Sequence, residues 1–198
     1  MFLSTVDDLN SGYAINGEQA ADSRSPQKAV MICVDFPGLK GEDSEHPEPS
    51  FFYDLLAKDG LAVFDAISFG KLRLQVDLVD HWFTMPKRDE EYHMDRVITA
   101  ETHRAYIQDA MDVSCQEVDY SQYDILYIVP VHGSQVPYSP TMVSKDHPIS
   151  CASGQIGLAV TFGADMYKRK GKLFAHETGH IYGLPDYYTY QVTEGAEG

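Results

Sequence analysis

The sequence predicts an α/β fold, because strand-like apolar runs alternate along the chain with segments of helical character. Residues 28–36 (KAVMICVDF) and 124–132 (DILYIVPVH) are nearly continuous apolar runs with β-branched residues, which are typical of strands buried on both faces of a sheet. Residues 51–68 carry apolar side chains at helical spacing. We therefore expect a mostly parallel sheet packed against helices.

The first helical segment is followed by a second kind of strand. Within residues 51–68, Gly60 is predicted to divide the segment into two short helices. Residues 71–83 (KLRLQVDLVDHWF) alternate between apolar and polar side chains, which predicts a half-buried strand. His81 and Trp82 lie at its end, where they border a cleft or, as we expect, the tryptophan seals the core.

Three further segments complete the prediction. Residues 89–113 contain no glycine or proline and begin with acidic side chains, so we predict one long helix. Residues 133–157 are rich in glycine, serine and proline, which predicts a long loop that forms one wall of a site. Residues 157–162 (GLAVTF) predict a short strand just before the last helix.

Composition limits the classes of function. Of 198 residues 43% are hydrophobic, enough for one core, so we predict a leader or linker at 1–27 and a single domain at 28–198. The net charge of -15 argues against partners such as nucleic acid or an anionic membrane surface. No apolar run is long enough to predict membrane insertion. The acidic residues leave calcium binding open, although no EF-hand loop is present.

The three cysteines do not predict a metal site. Cys33 lies inside an apolar run and is expected to be buried as a small apolar residue. Cys115 and Cys151 do not form a Cys-x-x-Cys pair with any other cysteine, and whether they pair with each other stays open.

The strongest candidate for chemistry is the run of residues 176–186, HETGHIYGLPD. In a helix His176 and His180 stand on one face, so that both imidazoles can bind one cation. Glu177 is the candidate general base, because it lies beside the first histidine without easily completing the same set of ligands. A zinc ion at such a site lowers the pKa of a bound water to about 7, and a nearby carboxylate can accept the proton.

The end of this helix predicts a third ligand. Gly183 can adopt the left-handed conformation that ends a helix, and Pro185 cannot continue one. A turn at Gly183 would carry the carboxylate of Asp186 back towards the metal, although an aspartate after proline can equally cap a turn. Two histidines and one carboxylate leave a coordination position open, as in catalytic zinc sites.

HETGHIYGLPD resembles the long zinc-binding motif of metzincin-type peptidases, in the variant whose third ligand is aspartate, and is similar to that of the immune inhibitor A family. VMICVDFPG at 30–38 and SFGKLRLQV at 68–76 resemble that family's early strand and its Ser-Tyr-Gly-Lys-Leu segment. The resemblance implies a metalloendopeptidase that is secreted, although the opening residues carry no signal-peptide pattern.

The resemblance also implies an architecture, the metzincin-like upper subdomain. It consists of a twisted, mostly parallel sheet with an antiparallel edge strand, a backing helix and an active-site helix. In that architecture a protein or peptide substrate lies extended against the edge strand, for which the candidates are residues 157–162 and the segment before them. An ordinary edge strand without a substrate is the equal alternative. The methionine-containing turn of metzincins is missing, since no methionine follows Met166. Either that turn has been lost or the sequence is the upper part of a longer catalytic domain.

Several alternatives stay open. The rival function is a noncatalytic binding or adhesion module that keeps the metal for stability, or an inactive peptidase fragment. Glu194 is a weaker candidate for the third ligand, and the tyrosines at 187, 188 and 190 either line the cleft or donate to an oxyanion. Thr178 and Gly179 are expected to be small so that the helix can approach the sheet. No nucleophile elbow, phosphate loop or dinucleotide fingerprint occurs.

Three other histidines are not predicted to bind metal. His46 lies in a loop among acids and prolines and is expected to be solvated. His93 and His103 fall within the predicted long helix, but their spacing of ten residues does not place them together on one face.

Overall fold

A five-stranded sheet forms the centre of the protein in the computed structural model, which describes residues 20–95 and 98–186. Its strand order is β2-β1-β3-β7-β4, and every neighbouring pair is parallel except β4 and β7. Its strands are β1 (Gln27–Asp35), β2 (Leu74–Thr84), β3 (Ile125–Pro130), β4 (Thr141–Val143) and β7 (Leu158–Thr161). The predicted α/β fold with a mostly parallel sheet and an antiparallel edge strand is confirmed.

Both faces of this sheet are covered by helices, which explains the continuous apolar runs of its central strands. Every residue of β3 is buried, and so are the last seven residues of β1. Alternate side chains serve opposite faces: Val30 and Ile32 pack in one hydrophobic core, and Met31 and Cys33 pack in the other. The α-helices are α1 (Pro49–Phe52), α2 (Asp59–Ser68), α3 (Ala100–Ser114), α4 (Met166–Arg169) and α5 (Gly171–Ile181).

Helix α3 alone covers one face, and α2 and α5 pack side by side on the other. The amphipathic pattern of α3 puts Tyr106, Ile107 and Ala110 into the core. On the opposite face Leu173, Phe174 and Ile181 anchor α5 in the core. No helix among the residues that the structure describes is long and apolar enough to cross a membrane.

The predicted break at Gly60 is wrong. The chain stays helical from 49 to 68, passing from α1 through a π-helical turn, Tyr53–Lys58, into α2. Gly60 lies inside α2, where a Cβ would overlap the ring of Phe174 on α5. The glycine therefore permits a close approach of two helices instead of ending one.

The predicted long helix over residues 89–113 is also wrong at its start. A short 3-10 helix, Asp89–Tyr92, ends at His93, which has a left-handed conformation with φ of 51°. Helix α3 begins only at Ala100, where the Thr99 hydroxyl accepts a hydrogen bond from the Thr102 N–H at 3.1 Å. This cap satisfies one of the N–H groups that a helix start leaves unpaired.

The segment 133–157 is not one long loop, because it contains three short strands. Strand β4 joins the main sheet, and β5 (Ile149–Cys151) and β6 (Gly154–Ile156) form a separate hairpin. Three residues are too few to show a recognisable alternation, so only pairing with neighbouring strands reveals them. Residues 157–162 include β7, which lies between β3 and β4 and is therefore not an edge.

Trp82 seals the core at the end of β2, as predicted. Its indole N–H donates to the Pro47 carbonyl at 2.6 Å, and its ring packs edge-on against Phe52 with centroids 5.7 Å apart. Neighbouring His81 lies 3.1 Å from a carboxylate oxygen of Glu117 at the surface.

Cys115 and Cys151 form a disulfide, which ties the end of α3 to the β5–β6 hairpin. The sequence left this pairing open. Cys33 is a free, buried thiol within β1, as predicted, and burial raises its pKa far above the usual range.

Candidate metal centre

Helix α5 carries the two predicted histidine ligands on one side. His176 and His180 are one turn apart, and their ring centroids lie 4.7 Å from each other. The opposite side of the helix is anchored in the core, so the backbone that carries both imidazoles is fixed by packing. Thr178 contributes to this, because its hydroxyl lies 2.9 Å from the Tyr127 hydroxyl on β3.

The end of α5 turns the chain back towards these histidines. Gly183 has a φ of 83°, and its N–H donates to the His180 carbonyl at 2.9 Å. The Leu184 N–H donates to the Gly179 carbonyl at 3.0 Å, which completes a Schellman motif. Pro185 then prevents further helix, and Asp186 is directed at the two imidazoles.

Gly179 has a different role from the one predicted. A Cβ there would lie 3.5 Å from the side chain of Leu184, which is an ordinary contact. The glycine is therefore not required for a close helix–sheet approach. It faces the side chain of Leu184, which follows the turn at Gly183.

The distances between the three predicted ligands fit one zinc ion. Asp186 Oδ1 lies 3.1 Å from His176 Nε2 and 3.4 Å from His180 Nε2. One ligand atom from each of the three residues lies within 4.8 Å of the other two. Tetrahedral zinc with bonds of roughly 2.0–2.1 Å separates its ligand atoms by about 3.3 Å. His176, His180 and Asp186 can therefore hold a metal ion, and in the described part of the chain they are the one such group.

Hydrogen bonding leaves one nitrogen of His180 and one oxygen of Asp186 available to a metal. His180 Nδ1–H donates to the Leu184 carbonyl at 2.6 Å, so its Nε2 is the nitrogen available to a metal. The Asp186 side chain is only 4% exposed, yet its Oδ1 makes no hydrogen bond of acceptable geometry with the described residues. A buried carboxylate oxygen without a donor is costly, and a bound cation would satisfy it.

Electrostatics in the metal-free protein reflect the same cluster. Burial opposes charging of His180, but the close contact with the Asp186 carboxylate and the charge of Glu177 outweigh it and raise the His180 pKa to about 9. Burial also opposes ionisation of Asp186, but contact with His176 and His180 lowers the Asp186 pKa below its usual range. A metal ion would replace the proton that these groups otherwise share.

Glu177 stands beside the ligands and does not complete their set. Its Oε1 lies 3.9 Å from His176 Nε2, and its Oε2 accepts a hydrogen bond of 2.7 Å from the Thr141 hydroxyl on β4. The residue is 7% exposed. Burial raises its pKa to about 7, although the charges of His180 and His176 act in the opposite direction and the nearby Asp165 adds to the increase.

The other histidines that the structure describes stay out of this group. His103 is fully buried on α3, and its Nε2 lies 3.0 Å from the Thr161 hydroxyl. His46 is not simply solvated, since its ring stacks on Phe51 with centroids 3.8 Å apart. The tyrosines at 187, 188 and 190 and the alternative ligand Glu194 lie outside the described residues.

Sequence reasoning missed Thr141 and Asp165. Thr141 lies in a segment predicted as loop, and nothing in the local sequence shows that its hydroxyl reaches a glutamate 36 positions away. Asp165 precedes the predicted helix without any feature of spacing that connects it to the motif.

No protein-family model matches the chain, and a search of curated proteins found no match. The peptidase resemblance therefore stays a prediction from the motif residues, whereas the metal-binding geometry is a property of the folded chain.

Proposed function

We propose that the protein is a zinc-dependent endopeptidase, a hydrolase that cleaves peptide bonds in proteins or peptides. One observation carries the proposal. A buried glutamate, held by a strand hydroxyl, lies next to two imidazoles and a carboxylate at zinc-ligand distances. A structural zinc site closes its coordination with four protein ligands and has no need of such a neighbour.

In the proposed reaction three residues hold the metal, and Glu177 transfers the proton. Zinc held by His176, His180 and Asp186 would polarise the peptide carbonyl and acidify the attacking water. Thr141 engages Glu177 Oε2, so Oε1 is the oxygen left to accept a proton from that water. The water oxygen then bonds to the carbonyl carbon. As the C–N bond breaks, the Glu177 carboxyl group delivers the proton to the departing amine nitrogen.

Strand β4 supplies a place for an extended substrate. Among the described strands it has only β7 as a neighbour, so its outer edge is available for pairing. Thr141 lies in this strand and contacts Glu177. A peptide paired along β4 would pass beside the general base. The segment that precedes residues 157–162 is therefore the better of the two predicted candidates for the substrate strand.

Secretion is part of the proposal and has weaker support. The Cys115–Cys151 disulfide is compatible with an oxidising extracellular compartment.

Replacement of Glu177 by glutamine tests the proposal. Glu177→Gln should keep zinc bound, because the three ligands are unchanged, and should lower cleavage of unfolded casein by about 10²- to 10⁴-fold. Zinc content by mass spectrometry and peptide release measure the two effects. The matched control is Glu101→Gln on exposed α3 surface, which should leave both unchanged.

Two outcomes contradict the proposal. Undiminished cleavage by Glu177→Gln would remove Glu177 from the reaction. Zinc-replete wild-type protein that cleaves no peptide would favour the noncatalytic, metal-stabilised module instead.

A further inference from the structure

Asp165 is a second acidic residue near the metal centre, and its side chain does not cap the helix that it precedes. It occupies the N-cap position of α4, where aspartate normally accepts a hydrogen bond from the helix backbone. No such bond forms. Its Oδ1 instead accepts a 2.7 Å hydrogen bond from the Ser139 hydroxyl.

The strand that positions Glu177 also positions Asp165. Ser139 and Thr141 are two residues apart, and Pro140 between them accepts a hydrogen bond from the Thr161 N–H, which continues the β4–β7 pairing. In an extended chain such residues face the same side, about 7 Å apart. Since Ser139 contacts Asp165 and Thr141 contacts Glu177, the two carboxylates lie side by side. The charge of Asp165 accordingly acts on both Glu177 and His176.

Main-chain contacts hold Asp165 in this place. The Gly163 N–H donates to the Ser139 hydroxyl oxygen at 2.8 Å, and the Ala164 N–H donates to the Val136 carbonyl at 2.7 Å. A Cβ at Gly163 would overlap the backbone of Tyr138. The two segments can therefore approach closely only because residue 163 is glycine, which presents Asp165 in a defined position.

Asp165 forms no ion pair with a lysine or arginine in the part of the chain that the structure describes, and the cationic groups that act on it are His176 and the more distant Arg169. Among the described residues no lysine or arginine nitrogen lies within 4.0 Å of its carboxylate. The residue is partly exposed, so a ligand can reach it. The net charge of -15 further favours the approach of positively charged molecules.

We propose that Asp165 forms a subsite that binds a positively charged group of the substrate, an ammonium or a guanidinium, next to the bond that is cleaved. This proposal rests on the proposed peptidase function and names its substrate class as cationic peptides. The group belongs to a lysine or arginine side chain or to the free amino terminus of the peptide. Asp165 would act as a specificity-determining residue, since a charged hydrogen bond to a half-buried carboxylate adds more affinity than one at a fully exposed carboxylate.

Binding to an inactive variant tests the subsite without relying on turnover. In zinc-loaded, full-length Glu177→Gln protein, we would measure the affinity of acetylated, amidated neutral peptides that carry one lysine or one norleucine beside the central bond. Lysine should improve affinity by about ten- to a hundredfold. Asp165→Asn should abolish that preference and leave the norleucine peptide unaffected. Asparagine keeps an oxygen that accepts from Ser139, so this change isolates the charge.

Two further variants separate a local subsite from other effects. Asp112→Asn on exposed α3 surface removes one negative charge from the opposite face, and should change the lysine preference less than twofold if the effect is local. Asp165→Glu keeps the charge and should retain part of the preference. The same peptides with a free amino terminus complete the set. If they bind more tightly than their acetylated forms, and Asp165→Asn removes that difference, the amino terminus is the bound group.

The subsite is overturned if neither a lysine side chain nor a free amino terminus improves affinity, or if the improvement survives Asp165→Asn. This outcome is separate from failure of the proposed function. Wild-type protein that cleaves norleucine and lysine peptides equally well would leave the peptidase intact and remove the subsite. Lysine-selective binding without any cleavage by wild-type protein would support the subsite and contradict the proposed peptidase function.

Discussion

Helices α3 and α5 pack on opposite faces of the same sheet, and each places a histidine near a sheet threonine or a carboxylate. On α3, His103 is fully buried and its Nε2 lies 3.0 Å from the Thr161 hydroxyl of β7. On α5, His180 is also buried, but its Nε2 lies 3.4 Å from the Asp186 carboxylate. Both helices pack on the same sheet, but the ring of His103 contacts a hydroxyl whereas the ring of His180 contacts a carboxylate.

This difference reverses the effect of burial on the two rings. Desolvation lowers the pKa of His103 to about 3, because burial penalises the charged form of the ring. The carboxylates beside His180 raise its pKa to about 9 despite similar burial. The groups that contact a buried histidine therefore decide whether it is a core residue or can bind a metal. On α5 the turn at Gly183 brings the Asp186 carboxylate to the histidines.

The largest expected contrast between the two helices is in metal affinity. His180→Ala removes a ligand and should weaken zinc binding by more than about a thousandfold, beyond the 10- to 100-fold typical of changes in residues that only support ligands. His103→Gln should leave zinc affinity of the folded protein unchanged. Competition with a chromogenic chelator measures both. Equal losses would show that the two histidines are not functionally distinct.

The next contrast concerns acid stability. The folded-state pKa of His103, about 3, lies below its ordinary value of 6.5. The unfolded chain therefore takes up the proton first, so the free energy of unfolding falls as the pH drops from about 6.5 towards 3. His103→Gln should abolish a loss of several kcal/mol over this range. Urea titrations of metal-free wild type and variant across this window measure the difference, and parallel pH profiles would contradict the prediction.

A smaller contrast separates the two threonines that extend from the sheet. Thr161→Val removes the partner of His103 and should destabilise the fold by about 1–2 kcal/mol, with cleavage unchanged. Thr141→Val removes the hydrogen bond to Glu177 Oε2 and should lower kcat/KM about tenfold at unchanged zinc content, because the general base is less well held.

Thermal unfolding and peptide turnover of both valine variants provide the comparison. If Thr141→Val lowered only stability and Thr161→Val lowered turnover, the proposed role of Thr141 in holding Glu177 for the reaction would be wrong.

The fold was predictable from the sequence where a pattern of apolar residues extends over many consecutive positions. The buried runs in β1 and β3 predicted central strands, since strands covered on both faces need apolar side chains at every position. Element limits were less predictable. Gly60 has a low helix propensity, yet contact with Phe174 places it inside α2. Helix α3 begins at Ala100, after its cap Thr99, and not at residue 89 as predicted. Neither outcome follows from a short stretch of sequence.

The sequence by itself determined which three side chains of this protein can hold a metal ion. Helical geometry alone places His176 and His180 on one face, and a glycine with positive φ followed by proline is enough to return Asp186 to them. These interactions span eleven residues and depend on backbone conformations that the residue types themselves favour.

Only the tertiary structure decided what surrounds those ligands. Thr141 reaches Glu177 across 36 positions, and Ser139 reaches Asp165 across 26, because β4 pairs with β7 and brings both hydroxyls to the side occupied by α5. Strand pairing and burial depend on the whole core and leave no local pattern in a three-residue strand. The grouping of the three candidate ligands was therefore encoded locally, whereas the environment of Glu177, the proposed general base, and the charge beside it arose from long-range packing.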